Sequence, residues 1–415
     1  MATASEEKWR IGVDASGFRA ALKRTLDKPL TSYHLVLGVS GLLLSLGLLM
    51  VLSASSVTSL NEYGNSYAIF TKQAIWVCVG VPLALVASRL PIGLIRFGAW
   101  PALVVSVVLI AMTYVPGFGV SVNGNQNWLS FGGPFQIQPS ELAKLAVVLW
   151  CADVYSRKDR LLTQWRHVLV PMMPVCALVV AMVVLQGDLG TALVLFAIVL
   201  GVLWVIGAPA RLFLGSLLVV SVLAFGLAVS QPERVARLTG FLNPIANYGS
   251  QGWQASHGFF ALATGGLWGS GIGASSQKWG NLPGAHTDFI FAIIGEEFGL
   301  FGTLVVLGLF VTLAYVGIRI AARTPDLFVK YASAGIVVWL LSQTLINVGM
   351  VLGLLPVIGI PLPLISYGGS ALVPTLVALG LLLSFARTEP GAQAALRARR
   401  LERRRRRSRL SDKET

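Results

Sequence analysis

The carboxylate of Asp288 is a candidate for acid–base chemistry. It lies in the segment Leu282-Pro-Gly-Ala-His-Thr-Asp, where a loop ends and a long apolar run begins. A carboxylate at such a junction can cap the helix that follows, because the first N–H groups of a helix have no partner inside it. It can also be partly desolvated beside His286 and Lys278 and take a proton from a substrate. Position alone leaves both interpretations open.

The segment Gln138-Pro-Ser-Glu-Leu-Ala-Lys places an anion and a cation three residues apart, which brings them onto one face of a helix. Ser140 is predicted to be the N-cap of this helix. One interpretation is a structural ion pair between Glu141 and Lys144. The other is that Lys144 points into the protein and binds an anionic group such as a pyrophosphate, because a lysine inside an apolar helix is costly.

Three further segments carry weaker signals. The glycine-rich segments Gln186–Thr191 and Gly265–Gly273 could cradle phosphates, but glycine also permits close helix packing. The segment Pro356–Ser370 contains three prolines that forbid regular helix, and its Ser366 and Tyr367 supply hydroxyl groups. This segment could line a groove for a lipid chain or cap the helices.

The sequence predicts no resident metal or cofactor. His257 and His286 are 29 residues apart and lack metal-ligand spacing, and no P-loop or serine nucleophile elbow occurs. A bound pyrophosphate could still recruit a divalent cation. Glu296 and Glu297 lie inside an apolar run, where an unpaired charge is costly, so one of them is expected to pair with Lys144 or to face a polar cavity.

The composition shows which elements must position these residues. Of 415 residues, 55% are hydrophobic and only 12% are charged, whereas a soluble domain carries about 25% charged residues. Apolar runs such as 35–52, 102–112 and 193–205 are typical of membrane-spanning segments. Their lack of polar–apolar alternation excludes an outer-membrane barrel. The predicted fold is therefore an all-α, polytopic membrane helix bundle.

Ten transmembrane helices are expected. They are 33–53, 72–88, 97–115, 140–155, 168–186, 190–208, 211–230, 288–318, 329–352 and 369–386. With both termini in the cytoplasm, 27 of the 32 lysines and arginines lie in or beside cytoplasmic segments, as the positive-inside rule requires. The outer loop 231–287 contains many apolar residues, so it is predicted to be partly helical at the outer membrane face.

The predicted organisation has three parts: a basic cytoplasmic tail at 1–32, a membrane domain at 33–386 and an arginine-rich cytoplasmic tail at 387–415. The last of these holds 11 basic residues, including the run Arg403–Arg407. Such a run can bind nucleic acid, but beside a membrane span it favours anionic lipid headgroups. We therefore expect membrane lipids, and no nucleic acid, as partners of the tails.

Taken together and in order, these segments resemble the SEDS family (shape, elongation, division and sporulation) of FtsW/RodA-type peptidoglycan glycosyltransferases. The resemblance extends over roughly 33–386. The residues that carry it are Asn127-Trp-Leu, Gln138–Lys144, Gln186–Thr191, Arg237-Leu-Thr-Gly-Phe-Leu-Asn-Pro, Gly265–Gly273, Leu282–Ala292, Asn347-Val-Gly and Leu355–Ser370. The chain departs from the family pattern at Asn127, Gly187 and Gly284, where many relatives have arginine, proline and glutamate.

The resemblance implies a polymerase of lipid II in the bacterial cytoplasmic membrane. In it, Asp288 corresponds to the essential aspartate of the family and deprotonates the 4-hydroxyl of the acceptor sugar. Lys144, Lys278 and Arg237 are assigned to the pyrophosphate by charge and location. The other predicted substrate-binding residues are Gln138, Ser140, His286, Ser366 and Tyr367.

The resemblance also implies partners, above all a class B penicillin-binding protein, with other division proteins as further candidates. The long basic tails and the segment 243–254 favour the division branch, and hence the septum, over the elongation branch. The main rival function is a lipid II flippase, which would carry polar groups at mid-membrane depth. Glu296, Glu297 and Lys144 keep this alternative open.

Overall fold

The computed structural model describes residues 28–122, 124–130, 132, 136–229, 235, 240–241, 243–250, 252–398 and 401–402. Long helices dominate this part of the chain. In order they are α1 (Thr31–Tyr63), α2 (Ala68–Ala87), α3 (Ile92–Met112), α4 (Pro139–Lys158), α5 (Trp165–Leu185), α6 (Leu189–Val205), α7 (Ala210–Val229), α8 (Trp253–Gly265), α9 (Ile290–Arg323), α10 (Leu327–Val351) and α11 (Gly369–Ala386). A short 3-10 helix, Asp159–Leu161, follows α4.

Each of the ten predicted spans coincides with one of these helices, so the prediction of a polytopic helix bundle is confirmed. Seven helices, α1, α2, α3, α5, α9, α10 and α11, are long and apolar enough to cross a membrane. The apolar helices α6 and Ala210–Leu223 of α7 are shorter. Helix α4 differs from these apolar helices because it carries three charged residues within the predicted span 140–155, Glu141, Lys144 and Asp153.

The charges of α4 are tolerated because this helix lies at the centre of the bundle. Every residue from Pro139 to Tyr155 is buried except Leu142. Helices α3, α5, α6, α10 and α11 all pack against it. Near its C-terminal end Asp153 pairs with Arg96 of α3 at 2.6 Å and with Arg157 at 3.0 Å. An internal charge is thus given partners by neighbouring helices, as a poorly hydrated interior requires.

A small antiparallel sheet, which the sequence analysis did not predict, occupies the loop between α3 and α4. Its strands are β1 (Gly119–Val122), β2 (Asn125–Ser130) and β3 (Gln136–Ile137), in the order β1-β2-β3. Backbone hydrogen bonds anchor the sheet to the neighbouring turn, since Gln126 N–H donates to the carbonyl of Gln186 at 3.1 Å. The sheet therefore fixes the entry to α4.

The described part of the loop 231–287 is partly helical, as predicted, and it packs against a break in α9. Helix α9 has one residue with non-helical dihedral angles, Gly299, at φ 68°. The break leaves carbonyl groups of α9 without partners inside the helix, and the glycine-rich loop donates hydrogen bonds to them. Ser270 N–H donates to Glu296 O at 2.9 Å, and Gly271 N–H donates to Glu297 O at 3.0 Å. The glycines of the segment 265–273 therefore allow the backbone of the loop to pack against the backbone of α9. Of the two interpretations of this segment, the structure shows close packing.

This contact gives a stability prediction for Gly265→Ala. A Cβ atom at Gly265 would overlap the carbonyl oxygen of Gly295. The backbone fixes the positions of both the Cβ atom and the carbonyl oxygen, so the overlap cannot be relieved by a rotamer change. We therefore expect the free energy of unfolding to fall by about 1–3 kcal/mol. Gly308→Ala in α9 is the matched control, because a Cβ atom there meets nothing within 4 Å. Denaturant unfolding in detergent measures both variants, and equal stabilities would contradict the packing described here.

Candidate active site

Asp288 lies in the loop that leads into α9, and its side chain does not cap this helix. Phe289 occupies the N-cap position of α9, without a side-chain cap. The Asp288 carboxylate receives no hydrogen bond from any residue in the described ranges and retains partial exposure. Of the two interpretations of Asp288, the structure therefore excludes the helix cap and leaves a carboxylate available for chemistry.

The backbone around Asp288 is held by donors from two other segments. Asn347 Nδ2 of α10 donates to Asp288 O at 2.8 Å and to Ile360 O at 2.7 Å. Ser366 Oγ donates to Thr287 O at 2.6 Å, and the N–H of the residue after it, Tyr367, donates to His286 O at 2.9 Å. Three consecutive carbonyl groups thus have partners, although residues 286–288 belong to no helix or strand.

Ser366 is itself part of a fixed loop. Its Oγ also accepts a hydrogen bond from Leu362 N–H at 2.8 Å. Gln73 of α2 accepts from Gly368 N–H at 3.3 Å, and its Nε2 donates to Ser366 O at 3.4 Å. The Ser366 hydroxyl therefore has two backbone partners, Leu362 N–H and Thr287 O, and it positions this loop. Its contact with substrate stays a prediction.

Burial changes the acid–base properties of this site. Desolvation raises the pKa of Asp288 to about 6, because burial disfavours the charged carboxylate. The same effect lowers the pKa of His286 to about 4. Near neutral pH the carboxylate is therefore ionised and the imidazole is uncharged. A carboxylate with a pKa close to the working pH is well matched to a general base.

The loop after α10 shapes the other side of the carboxylate. Gly359 has φ 76°, a left-handed conformation that glycine adopts without strain. A Cβ atom at this position would lie 3.5 Å from Asp288 Oδ2. The proline-rich segment Pro356–Ser370 therefore forms a rigid wall beside Asp288.

Lys144 lies in a buried ion pair near this loop. Its Nζ donates to Glu141 Oε1 at 2.7 Å and to Gln343 Oε1 of α10 at 3.0 Å, and its side chain is 1% exposed. Gln343 Nε2 in turn donates to Pro361 O at 2.9 Å. The predicted Glu141–Lys144 pair is thus present, and through Gln343 it supports the wall beside Asp288. Of the two alternatives predicted for Glu296 and Glu297, pairing with Lys144 is therefore excluded.

Ser140 and Gln138 occupy different positions at the start of α4 from those predicted. Ser140 is the second residue of α4 and is fully buried, whereas Gln138 is the N-cap and makes no capping hydrogen bond, so the prediction of Ser140 as N-cap is wrong. Gln138 Nε2 donates instead to Asp188 Oδ2 at 2.6 Å. Asp188 also accepts from Asn127 Nδ2 at 3.0 Å and caps α6 through Thr191 N–H at 2.9 Å. Asp188 therefore joins the sheet, α4 and α6.

Lys278 and the two glutamates of α9 form a separate cluster. Lys278 Nζ lies 3.4 Å from Glu297 Oε1 and also donates to Gly273 O at 2.6 Å. Ser53 of α1 donates to the same Glu297 oxygen at 2.6 Å. The neighbouring carboxylate, Glu296, accepts from Ser276 N–H at 2.8 Å. These contacts attach the glycine-rich loop to α1 and α9. Of the other predicted cations, Arg237 lies outside the described residues.

The structure therefore brings together Asp288, His286, Ser366 and Tyr367, while Gln138, Lys144 and Lys278 lie in supporting clusters. The Ser140 hydroxyl is buried in α4 and has no hydrogen-bond partner in the described ranges. Sequence analysis missed the positioning roles of Gln73 and Asn347. Both are polar residues within apolar helices, and a polar residue in such a helix indicates a structural or functional contact. Within the described ranges, no group of three or more histidine, cysteine, aspartate or glutamate side chains is placed to hold a metal ion.

Comparisons with known proteins agree with this fold. The profile of the FtsW, RodA and SpoVE family, described as cell cycle protein, matches residues 33–390. The chain is 44% identical over 373 residues to the probable peptidoglycan glycosyltransferase FtsW of Mycobacterium tuberculosis, covering 90% of this chain and 71% of that protein.

Two solved structures have a similar fold. One, described as showing structural coordination of polymerization and crosslinking by a peptidoglycan synthase complex, has a TM-score of 0.68 at 29% identity and covers 85% of this chain and 96% of that one. The other is the rod shape determining protein RodA of Thermus thermophilus, with a TM-score of 0.63, 28% identity and the same two coverages.

The buried pair in α4 predicts a non-additive stability effect. Lys144→Met leaves the Glu141 carboxylate buried without its cation, so the free energy of unfolding should fall by about 3–5 kcal/mol. The double variant Lys144→Met with Glu141→Leu removes both charges and should recover most of this loss. Unfolding of the three proteins in detergent measures the coupling. A double variant no more stable than Lys144→Met would show that the ion pair is not a stabilising unit.

Proposed function

This chain belongs to the FtsW, RodA and SpoVE family of cell cycle proteins, and from that premise we propose that it is a peptidoglycan glycosyltransferase that polymerises lipid II. The observation that carries the proposal is the Asp288 carboxylate. It is positioned through its backbone by Asn347, has no hydrogen-bond donor in the described ranges, and has a pKa raised toward neutrality. The name of the M. tuberculosis relative supports the same activity.

The proposed reaction uses Asp288 as general base. The ionised carboxylate takes the proton from the 4-hydroxyl of the acceptor N-acetylglucosamine. The acceptor oxygen forms a bond to the anomeric carbon of the donor N-acetylmuramic acid, and the bond from that carbon to the phosphate oxygen breaks. Undecaprenyl pyrophosphate leaves with the bonding electron pair. Because the carboxylate is not hydrogen-bonded to described residues, none of its basicity is lost to a protein donor.

The supporting residues act by position in this proposal. Asn347 and Ser366 hold the carbonyl groups of Asp288 and Thr287, so they fix the backbone from which the carboxylate extends. Lys144 supports the proline-rich wall through Gln343. Positioning of this kind matters because reacting atoms must be held within about 3–3.5 Å of each other.

The polymerase is favoured over a flippase by the arrangement of charge. Glu296 and Glu297 have local partners in Ser276 and Lys278, and Lys144 is paired with Glu141. These groups are therefore engaged as structural contacts. A transport pathway needs polar groups that line a route across the membrane.

The protein is a multi-pass membrane protein, and we propose that it works at the outer face of the cytoplasmic membrane, at the division septum, with both termini in the cytoplasm. The distribution of basic residues supports this orientation. We further propose a class B penicillin-binding protein as partner, because the similar synthase complex couples polymerization to crosslinking. Other division proteins remain proposed partners. The predicted lipid contacts of the tails fall largely on residues outside the described ranges, 1–27 and 403–415.

No resident cofactor is needed for the proposed reaction, since a base and a good leaving group suffice. A divalent cation could assist departure of the pyrophosphate. Such a cation would be bound by the pyrophosphate of the substrate.

Asp288→Asn tests the proposed function. The amide has nearly the same shape but cannot take up a proton, so polymerisation of lipid II by the purified protein should fall by about 10²–10⁴-fold. The unfolding temperature in detergent should stay close to that of the unmodified protein, because the contacts of the Asp288 carbonyl are retained.

Glu402→Gln is the control, since it neutralises an exposed carboxylate in the C-terminal tail. Glycan strand length and yield are read on gels from the same preparations. Normal polymer from Asp288→Asn would reject Asp288 as the base.

A further inference from the structure

Lys72 differs from the lysines considered above. It lies in the second turn of α2, is partly exposed, and has its Nζ 4.4 Å from the centre of the Tyr63 ring. In the described part of the chain, no carboxylate lies within ion-pair distance of it. The acid nearest in sequence, Glu62, is exposed at the end of α1. The charge of Lys72 is therefore available to a ligand, whereas Lys144 and Lys278 already have carboxylate partners.

The neighbour of Lys72 in sequence connects it to Asp288. Gln73 is hydrogen-bonded to Ser366 and Gly368, as described above, and Ser366 is hydrogen-bonded to Thr287. Helix α2 is thus attached at Gln73 to the loop that holds the candidate base. Lys72 is the residue before Gln73, so its backbone lies one position from this attachment point.

Aromatic hydroxyl and imidazole groups lie around the attachment point. The ring centres of Tyr367 and His286 are 5.7 Å apart. Burial and the nearby phenol of Tyr63 both raise the pKa of Tyr367, burial being the larger cause. Tyr367 lies between Ser366 and Gly368, the two residues that Gln73 contacts, and Tyr63 carries the ring in contact with Lys72. His286 Nδ1 is buried and has no hydrogen-bond partner in the described ranges.

This combination of groups suits a phosphate-containing ligand. A lysine ammonium binds phosphate as a compact point charge. Two phenolic hydroxyls can donate hydrogen bonds to further phosphate oxygens, and a neutral imidazole can donate through one ring nitrogen. The contact with the Tyr63 ring orients the ammonium group and leaves its charge intact.

We propose that Lys72, together with Tyr63, Tyr367 and His286, forms the subsite that binds the diphosphate of the lipid-linked sugar. This inference rests on the proposed function, since it identifies where the anionic part of that substrate lies. The subsite takes the role that the sequence analysis gave to Lys144, Lys278 and Arg237. Because residues 286–288 are consecutive, a diphosphate here lies close to the carboxylate of Asp288.

Binding of undecaprenyl pyrophosphate to the purified full chain in detergent tests this proposal apart from catalysis. Lys72→Gln should weaken binding by about 10- to 100-fold, which corresponds to the loss of one hydrogen bond to a charged group. Lys72→Arg should bind within about threefold of the unmodified protein, because the positive charge is retained. Lys158→Gln is the matched control, since Lys158 is also partly exposed and lies at the other end of the bundle.

Undecaprenol, which has the same chain without phosphate, is the second probe. Its binding should be the same for Lys72→Gln and the unmodified protein, because the lost contact is to the diphosphate. Unchanged binding of undecaprenyl pyrophosphate by Lys72→Gln would overturn the proposal, and so would an equal loss of undecaprenol binding. Tyr367→Phe, which keeps the ring and removes one donor, gives a second test with an expected loss of several-fold.

Asp288→Asn separates this inference from the proposed function. It should bind undecaprenyl pyrophosphate at least as well as the unmodified protein, because it removes a nearby negative charge, while failing to polymerise. If Asp288→Asn polymerises normally, the proposed function fails whatever Lys72 does. If Asp288→Asn is inactive and Lys72→Gln binds normally, the diphosphate subsite alone fails.

Discussion

The amide of Asn347 donates to the carbonyl oxygens of Asp288 and Ile360, and much of the site depends on this bridge. Residues 286–288 lie outside regular secondary structure, so their carbonyl groups need donors from elsewhere. Asn347, Ser366 and the backbone of Tyr367 supply them. Because the backbone carries the contacts that fix position, the Asp288 carboxylate is left without a hydrogen-bond donor in the described ranges. The carboxylate is therefore held in place and remains basic.

The rest of the bundle supports this loop with paired charges. The Glu141–Lys144 pair reaches the proline-rich wall through Gln343, and the Lys278–Glu297 pair attaches the glycine-rich loop to α9. Each charge lies within hydrogen-bond or ion-pair distance of an opposite charge, as burial in a poorly hydrated interior requires. Lys144 and Lys278, which charge and location first suggested as phosphate ligands, are thus part of the scaffold. The diphosphate is left to a lysine whose charge is not neutralised by a described carboxylate.

Much of this arrangement could be predicted from the sequence, because it follows from local patterns. The ten spans follow from runs of apolar residues, and the Glu141–Lys144 pair from a spacing of three residues on one helix. Asp288 could be found because acidic residues are scarce outside the basic segments. The pairing of Lys278 with Glu297, and the use of the Ser366 hydroxyl by two backbone groups, join residues that are distant in the chain. Single-sequence patterns do not encode such contacts. The sheet at 119–137 was missed because its strands are only two to six residues long.

The most direct test of a partly desolvated carboxylate base is the pH dependence of kcat/KM for lipid II polymerisation, which reports ionisation of the free enzyme. Because Asp288 must be ionised to act, activity should be full above its pKa and fall about tenfold per pH unit below it, with a midpoint near pH 6. His286→Gln should leave this midpoint in place, since burial lowers the pKa of His286 to about 4. A midpoint near 4, the ordinary value for an exposed aspartate, or a midpoint abolished by His286→Gln, would contradict the account.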